Sequence, residues 1–293
     1  MKVLKVSLKD VRYPILLKEI FDPPQVLYAW GNLEILERPL CAVVGTRRAS
    51  AYGEAQAFRF AKELSERGVC VVSGLAFGID KAAHLGALEG EGGTIAVVAQ
   101  GIEELEPSGH RGLAEKIVEK GGLILSEKAC GEVYFKSHYL VRNRIIAGLC
   151  KGTLVIEAPF KSGARNTAKH ALDYGRELMA LPGRITDEKS EGTNALIQTG
   201  AALVTGPQEV AEILGVTWTA RKVRLEGLAG KIFEELRKAP RSPAELGEKF
   251  SELSELYGVL GELEMKGLIR FTREQRYAVC VGGKVGVSPG SSG

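Results

Sequence analysis

Short, almost purely apolar runs alternate with longer segments of helical periodicity along most of the chain. Such runs are typical of strands in a parallel sheet that is buried on both faces. The predicted strands are 39–45, 69–74, 94–99, 123–126, 153–157, 177–180 and 202–204. The predicted helices are 52–67, 79–89, 112–120, 142–149, 167–174 and 192–198. We therefore predict an α/β fold with an extended Rossmann-like, doubly wound and mostly parallel sheet.

The pattern changes towards the end of the chain. Helical periodicity covers 230–238 and 254–266, and between them a proline follows the capping residue Ser242, which is typical of a helix start. The runs 267–271 and 276–279 predict a β-hairpin. Three helices followed by a hairpin indicate a small winged-helix-like domain.

These patterns divide the chain into five parts. We expect an N-terminal extension (1–38) that packs on the core, a Rossmann-like domain (39–214) and a linker (215–227). A winged-helix-like domain (228–281) and a flexible, glycine- and serine-rich tail (282–293) follow.

Composition narrows the class of protein. The 293 residues are 45% hydrophobic and 26% charged, which is ordinary for a globular protein. No apolar run is long enough for a membrane span and no signal-peptide pattern opens the chain, so we expect a cytoplasmic protein with no membrane partner. The five cysteines lack C-x-x-C spacing, and three of them, Cys41, Cys70 and Cys150, lie in or beside apolar segments and are expected to be reduced core residues. The net charge is only +3, so a basic surface that attracts an anionic partner must be confined to one part of the protein.

Polar and glycine-rich residues stand where the predicted strands end, and ligands of doubly wound sheets bind at those ends. Glycine lets a backbone approach a phosphate and exposes amide donors. The residues concerned are Gly45, Thr46, Arg47, Ser73, Gly74, Ser162 and Gly163. Neither a G-x-G-x-x-G fingerprint nor a Walker A motif is present. The pattern favours an anionic ligand other than NAD or ATP.

Arg142, Asn143 and Arg144 open the predicted helix 142–149. A helix N-terminus attracts anions, and guanidinium groups add forked, charged donors. Isolated arginines are more often surface ion pairs. Here they accompany the strand-end residues, which favours a phosphate site.

The motifs together resemble the DNA-processing protein A family (DprA, also called Smf) over roughly residues 35–215. They are V-V-G-T-R at 43–47, S-G-L-A at 73–76, R-N-R-I-I-A-G-L at 142–149, S-G-A at 162–164 and L-P-G at 181–183. The resemblance implies a sequence-independent single-stranded-DNA-binding protein of natural transformation and recombination. It also implies a homodimer that protects incoming DNA and helps to load a RecA-type recombinase, with no catalytic residues, cofactor or metal.

By this resemblance, Arg47 and the group Arg142, Asn143 and Arg144 contact DNA. Lys161, which precedes the Ser162–Gly163 turn, is expected to complete the basic pocket. Tyr139 offers a face on which a base can stack.

The chain departs from the family pattern at several places. Tyr139 and Leu140 stand where the family usually has phenylalanine and proline, and Glu106 and Pro107 stand where it usually has tyrosine and proline. About forty residues precede the first predicted strand, which is too few for the N-terminal helical domain of many members.

Asp80 and His84 have the spacing of two metal ligands on one helix. The favoured interpretation is that Asp80 caps the helix and His84 packs beneath it. We therefore expect chelators to leave DNA binding unchanged.

The alternative function is a nucleotide-hydrolysing enzyme such as a nucleoside-monophosphate phosphoribohydrolase. That class of enzyme needs a P-G-G-x-G-T loop beside a catalytic glutamate, and in this chain only Glu157 matches these features.

The third helix of the C-terminal domain is too acidic to bind in a DNA groove. Its acidic residues are Glu252, Glu255, Glu262 and Glu264.

Overall fold

The structure is a computed structural model that describes residues 2–105, 110–133, 135–218, 225, 227–250, 253–272 and 274–280. The chain divides into two compact units, Met1–Trp218 and Thr219–Gly293. The predicted tail, part of the predicted linker and the dipeptide Glu106–Pro107 lie outside the described residues. Within the described part of the chain, no helix has both the length and the apolar character needed to cross a membrane.

A nine-stranded sheet lies at the centre of the first unit. Its strands are β1 (Leu4–Ser7), β2 (Val26–Gly31), β3 (Leu40–Val44), β4 (Cys70–Ser73), β5 (Thr94–Val98), β6 (Leu123–Ser126), β7 (Gly152–Val155), β8 (Glu177–Ala180) and β9 (Ala202–Leu203). The strand order is β1-β2-β6-β5-β4-β3-β7-β8-β9. The strands from β3 to β9 are parallel to one another, whereas β1 and β2 pair antiparallel. The predicted doubly wound, mostly parallel sheet is confirmed.

Helices cover both faces of this sheet. They are α1 (Ile15–Lys18), α2 (Ala51–Ser65), α3 (Ile79–Ala87), α4 (Arg111–Glu119), α5 (His138–Leu149), α6 (Gly163–Asp173), α7 (Glu191–Gln198) and α8 (Pro207–Ile213). Successive residues of a strand point to opposite faces. In β3, Val43 therefore packs with α2, α3 and α8, whereas Val44 packs with α1, α5 and α6. The strands are apolar throughout because each face meets a layer of helices.

The N-terminal segment contributes strands that the sequence pattern did not predict. β1 and β2 extend the sheet beyond β6, so the strand predicted at 39–45 is the third strand rather than the first. The run Val26–Gly31 is apolar, and Leu27 and Ala29 are almost fully buried. The extension is thus part of the sheet as well as a cover for the core.

Helix α5 begins at His138, four residues before the predicted start at 142. The residues His138, Tyr139, Leu140 and Val141 include neither proline nor glycine, so nothing in them stops the helix. Arg142 and Asn143 consequently lie one turn inside α5. The prediction that they stand at the positive end of the helix was wrong.

The second unit contains α9 (Gly227–Lys238), α10 (Pro243–Lys249), α11 (Leu253–Met265), β10 (Ile269–Phe271) and β11 (Tyr277–Val279). β10 and β11 form an antiparallel hairpin. Ser242 and Glu245 form the capping box of α10, and Phe233 and Leu260 lie in the apolar core of the unit. The three helices and the hairpin agree with the predicted winged-helix-like domain.

Candidate functional site

A cleft of about 680 Å³ opens at the carboxyl ends of β3 and β7. From β3 the chain winds in one direction through β4, β5 and β6 and in the other through β7, β8 and β9. The cleft therefore lies at the switch point where doubly wound sheets bind ligands. Three segments form its walls: 44–48 after β3, residues near the start of α5, and 159–164 before α6.

The charged side chains that line the cleft are mostly cations. Among the described residues they are Arg47, Arg48, Lys136, Arg142 and Lys161, against the single carboxylate of Asp80. Four of the five cations are exposed, and Arg142 is the buried one. A concave surface with this charge balance attracts an anionic ligand although the whole chain is close to neutral.

The loop after β3 is fixed by its backbone. The Thr46 amide donates to the Glu157 carbonyl over 2.8 Å, and the Ile79 amide donates to the Thr46 carbonyl over 3.3 Å. A β-carbon on Gly45 would lie 2.8 Å from the Glu157 carbonyl oxygen, so only glycine fits there without a shift. Backbone amide donors for phosphate were expected near Gly45, but the Thr46 amide does not fit that role because it is already bonded. The side chain of Arg47 is exposed at the cleft.

Arg142 forms part of the floor of the cleft. Its guanidinium group donates to the Val97 carbonyl, and only 5% of the residue is exposed. Burial lowers the pKa of Arg142 to about 10, although the charge of Asp80 opposes that effect. Burial also raises the pKa of Asp80, whose carboxylate accepts the Gly74 amide at 3.1 Å. Arg142 thus remains a cation at neutral pH, held beneath the exposed cations.

Asn143 connects two walls of the cleft. Its side-chain amide donates to the Gly163 carbonyl over 3.3 Å and to Oδ1 of Asn166 over 3.2 Å. Ser162 caps α6 by accepting the Ala164 amide at 3.3 Å. These bonds hold the turn beside Lys161, whose side chain is exposed.

Several predicted site residues have partners elsewhere. Arg144 pairs with Asp22 over 2.8 Å and with Glu127 over 2.7 Å, and it does not line the cleft. Burial opposes the charge of Arg144, but the two carboxylates outweigh burial and raise its pKa. The buried hydroxyl of Ser73 donates to the Val43 carbonyl over 2.7 Å. The structure therefore does not bring Arg144 and Ser73 into the cleft, and Gly74 has its amide committed to Asp80.

The cleft also contains two cations that the sequence reasoning missed, Arg48 and Lys136. Arg48 directly follows Arg47, and Lys136 lies three residues before Tyr139. A search for further basic residues around the predicted ones would have found both.

Asp80 and His84 have structural partners. Nδ1 of His84 lies 2.7 Å from the Thr94 hydroxyl, which itself donates to the Val71 carbonyl. Nδ1–H is therefore the donor, and the ring is neutral because burial lowers the pKa of His84 to about 3. Asp80 lies in the first turn of α3, but Gly78 is the cap residue. Among the described residues, no group of three or more histidine, cysteine or acidic side chains is arranged to hold a metal ion.

Glu157, the glutamate of the enzymatic alternative, is only 3% exposed. Its carboxylate accepts the Ser50 amide at 2.9 Å and the Ser50 hydroxyl, and Ser50 in turn caps α2. The side chain is thus used at the N-terminus of α2 and does not line the cleft.

Comparison with known proteins identifies the family to which this chain is similar. The family described as DNA recombination-mediator protein A matches residues 5–215. The chain belongs to this family. The matched range contains the nine-stranded sheet except Leu4, the first residue of β1, and it contains every described residue that lines the cleft.

Curated relatives agree with this assignment. The DNA processing protein DprA of Streptococcus pneumoniae is 44% identical over 204 residues, which cover 70% of this chain and 72% of the relative. The protein Smf of Escherichia coli is 44% identical over 208 residues, which cover 70% of this chain but only 56% of that protein.

Solved structures show the same fold. The crystal structure of DprA from S. pneumoniae matches with a TM-score of 0.69 and 41% identity, and it covers 75% of this chain and 76% of the other. DNA processing protein A from Helicobacter pylori matches with a TM-score of 0.65 and 30% identity, over 73% and 96% of the two chains. The latter structure is described as showing a single-stranded DNA binding mode.

Proposed function

We propose that the protein binds single-stranded DNA without sequence preference, in the cleft between β3 and β7, and acts in natural transformation and homologous recombination. The observation that carries this proposal is the cleft with five cations and one carboxylate beside Tyr139. Family membership supports it, because the H. pylori relative is described as a binder of single-stranded DNA.

The four exposed cations of the cleft hold the phosphates in this proposal. They are Arg47, Arg48, Lys136 and Lys161. Arg142 adds positive potential from below, where it is too buried to follow a moving strand. If four phosphates are neutralised, log affinity against log salt has a slope of about −3 for a single strand.

Tyr139 makes the site selective for single strands. Its ring is partly exposed at the cleft, where an unstacked base can lie on it. Stacking on an aromatic side chain contributes about 1–3 kcal/mol per base and is tolerant of sequence. Bases in a duplex are stacked on each other, so a duplex gains only the phosphate contacts.

A binding role rather than an enzymatic role is part of the proposal. Binding requires neither a general base nor a nucleophile, and Glu157 and Ser73 are both committed to protein partners. The alternative as a nucleoside-monophosphate phosphoribohydrolase is not favoured, because its catalytic glutamate has no counterpart that lines the cleft.

The proposal has four further parts. The protein protects the bound strand, helps to load a RecA-type recombinase, forms a homodimer and is located in the cytoplasm. Support comes from the family, whose description is that of a recombination mediator. Two clefts in a dimer would raise affinity for a long strand through effective concentration. Light scattering would measure the oligomeric state, and strand exchange by a RecA-type protein would measure the loading.

The direct test is fluorescence anisotropy of labelled oligo-dT and of the matching duplex across a salt series. Tighter binding of the single strand, with a slope of about −3, is the expected result. Equal affinity for both forms would contradict the role of Tyr139. Absence of binding to either form at low salt would contradict the function, and nucleoside monophosphates would then be screened.

A further inference from the structure

A second concave surface of about 650 Å³ lies one strand further along the carboxyl edge of the sheet, where β8 ends. This β8 pocket is lined by Ser50, Tyr52, Gly183, Arg184, Asp187 and Ser190. Neighbouring strands of a sheet lie about 4.8 Å apart, so a DNA strand that leaves the cleft at β7 can reach the pocket. None of the cleft cations lines it.

Two short segments connect the cleft with the β8 pocket. Arg48 lines the cleft, and Ser50, two residues further on, lines the pocket. Pro159 lines the cleft, and the adjoining Ala158 amide donates to the Lys189 carbonyl over 2.8 Å, beside the wall of the pocket. The two surfaces are therefore adjacent along the same edge of the sheet.

Ser190 is a buried residue whose hydroxyl has no partner. A serine at the N-cap of a helix normally accepts an amide of the first turn. Ser190 caps α7 without such a bond, and its hydroxyl neither donates to nor accepts from any described residue. Only 6% of the residue is exposed, and it lines the β8 pocket. A β-carbon on Gly183 would clash with this hydroxyl, so glycine leaves the hydroxyl open to a ligand.

Arg184 supplies a positive charge at the pocket. Its side chain is exposed, and it forms no ion pair or hydrogen bond with any described residue. The backbone that carries it is fixed by Asn194. Oδ1 of Asn194 accepts the Gly183 amide, and the Asn194 amide group donates to the Gly183 carbonyl, both over 3.1 Å. The guanidinium group thus extends from a fixed loop.

The N-termini of two helices also face the pocket, since Ser50 caps α2 and Ser190 caps α7. The partial positive charge of a helix N-terminus favours an anion. The Glu157 carboxylate already accepts the Ser50 amide and offsets this charge at α2. The attraction for an anion therefore rests on α7 and Arg184.

Two further side chains complete the walls. Tyr52 is 56% exposed and presents an aromatic face on which a base can stack. Asp187 is the one carboxylate among the described residues that line the pocket. Its Oδ1 accepts the Lys189 amide over 3.0 Å, so this carboxylate shapes the turn before α7.

We propose that the β8 pocket binds one phosphate group of the DNA strand beyond the cleft, with the adjoining base against Tyr52. The proposal rests on the proposed function, because the cleft brings the strand to the pocket. Arg184 donates forked, charged hydrogen bonds to the phosphate oxygens, and the Ser190 hydroxyl donates one more. A strand longer than the cleft is thus held at β8 as well as at β3 and β7.

The test compares oligo-dT of about five and of about ten nucleotides. The shorter strand has about four phosphates, which the exposed cations of the cleft neutralise, and the longer strand extends beyond the cleft. Fluorescence anisotropy with the full chain measures both affinities for wild type, Arg184→Gln, Ser190→Ala and the control Arg59→Gln. Arg59 is exposed on α2 and lines neither the cleft nor the pocket.

Arg184→Gln should bind the longer strand about tenfold more weakly than wild type, because charged hydrogen bonds to one phosphate are lost. Its salt slope on that strand should be shallower by about 0.7, the value for one phosphate. Ser190→Ala should bind the longer strand about threefold more weakly with an unchanged slope, because no charge is removed. Both variants should bind the shorter strand as wild type does, and the control should match wild type on both strands.

Unchanged affinity of Arg184→Gln for the longer strand would overturn the phosphate site while the proposed function stands. Equal losses on both strands, or losses that Arg59→Gln reproduces, would indicate a general effect of charge and would also overturn it. Failure of wild type to bind either strand would overturn the function itself.

A second measurement does not depend on a folded variant. Oligo-dT of both lengths that contains 4-thiothymidine is crosslinked to the wild-type protein by light, and the attached peptides are identified by mass spectrometry. Crosslinks to Tyr52 or to 182–184 are expected with the longer strand and not with the shorter one. Crosslinks of the longer strand that are confined to 44–48, 136–143 and 159–164 would contradict a strand in the β8 pocket.

Discussion

The guanidinium carbon of Arg47 lies 4.9 Å from the centre of the Tyr139 ring. Arg47 follows β3, whereas Tyr139 lies in the first turn of α5, so the contact joins two segments that are far apart in the chain. The arginine lies over the aromatic face, and such contacts contribute about 0.5–1 kcal/mol at exposed sites. The proposed phosphate-binding and base-stacking groups thus position each other before DNA arrives.

Arg47→Ala should weaken the binding of oligo-dT about tenfold, because a charged hydrogen bond to phosphate and the contact with Tyr139 are both lost. The salt slope should become shallower by about 0.7, the value for one phosphate contact in a single strand. Anisotropy across a salt series measures both quantities. The matched control is Arg59→Ala, since Arg59 is an exposed residue of α2 that pairs with Glu63 over 3.0 Å.

Equal losses of affinity in Arg47→Ala and in Arg59→Ala would indicate a general effect of net charge. The cleft would then not be the site of phosphate binding.

Arg144→Met should lower the free energy of unfolding by about 1–3 kcal/mol, because charged hydrogen bonds to Asp22 and Glu127 are lost. Affinity for oligo-dT should change by no more than about twofold. Urea unfolding and anisotropy measure the two effects.

Lys161→Met should have the opposite effects, because Lys161 is exposed in the cleft. Binding of oligo-dT should become weaker, and the free energy of unfolding should not change. If Arg144→Met instead bound DNA as weakly as Lys161→Met without loss of stability, Arg144 would contact phosphate as the sequence predicted.

His84 should make the protein less stable in acid. Burial lowers its pKa from the ordinary 6.5 to about 3, so the unfolded chain binds a proton between these values and the folded chain does not. The contribution of His84 to the free energy of unfolding is therefore complete above pH 6.5. It falls by about 1.4 kcal/mol per pH unit as the pH drops towards 3. Urea unfolding at several pH values measures the slope.

His84→Gln should lose this part of the acid dependence, whereas His138→Gln should keep it. If His84→Gln and wild type lost stability equally between pH 6.5 and pH 5.5, His84 would not be neutral in the folded protein.

A chain that ends at Trp218 should keep its affinity for oligo-dT within about twofold, because every residue that lines the cleft lies in the first unit. Glu255, Glu262 and Glu264 are exposed on α11, so that helix offers phosphates no attraction. Anisotropy of the shortened and full chains compares the two. A loss of more than about tenfold would show that the second unit contributes to binding.

The secondary structure of the chain could largely be predicted. The predicted strands and helices from residue 39 onward are all observed within a few residues, because near-continuous apolar runs and helical periodicity reflect local burial. β1 and β2 were missed since they pair antiparallel at the edge of a sheet whose other strands belong to β-α-β units. The predicted start of α5 is four residues too late. The prediction takes the basic residues as the start of the helix and disregards the absence of a helix breaker before them.

Three features can be inferred from the sequence: the alternation of strands and helices, the family, and the position of Arg47, Tyr139 and Lys161 near the carboxyl ends of the strands. Spacing along the chain carries this information because strand and helix periods are local. The different positions of two arginines depend on the folded chain: Arg142 lies beneath the cleft, whereas Arg144, two residues further on, pairs with Asp22 and Glu127. Residues two apart on a helix project to different sides, and which side meets solvent, a carboxylate or a ligand depends on segments that are remote in the chain.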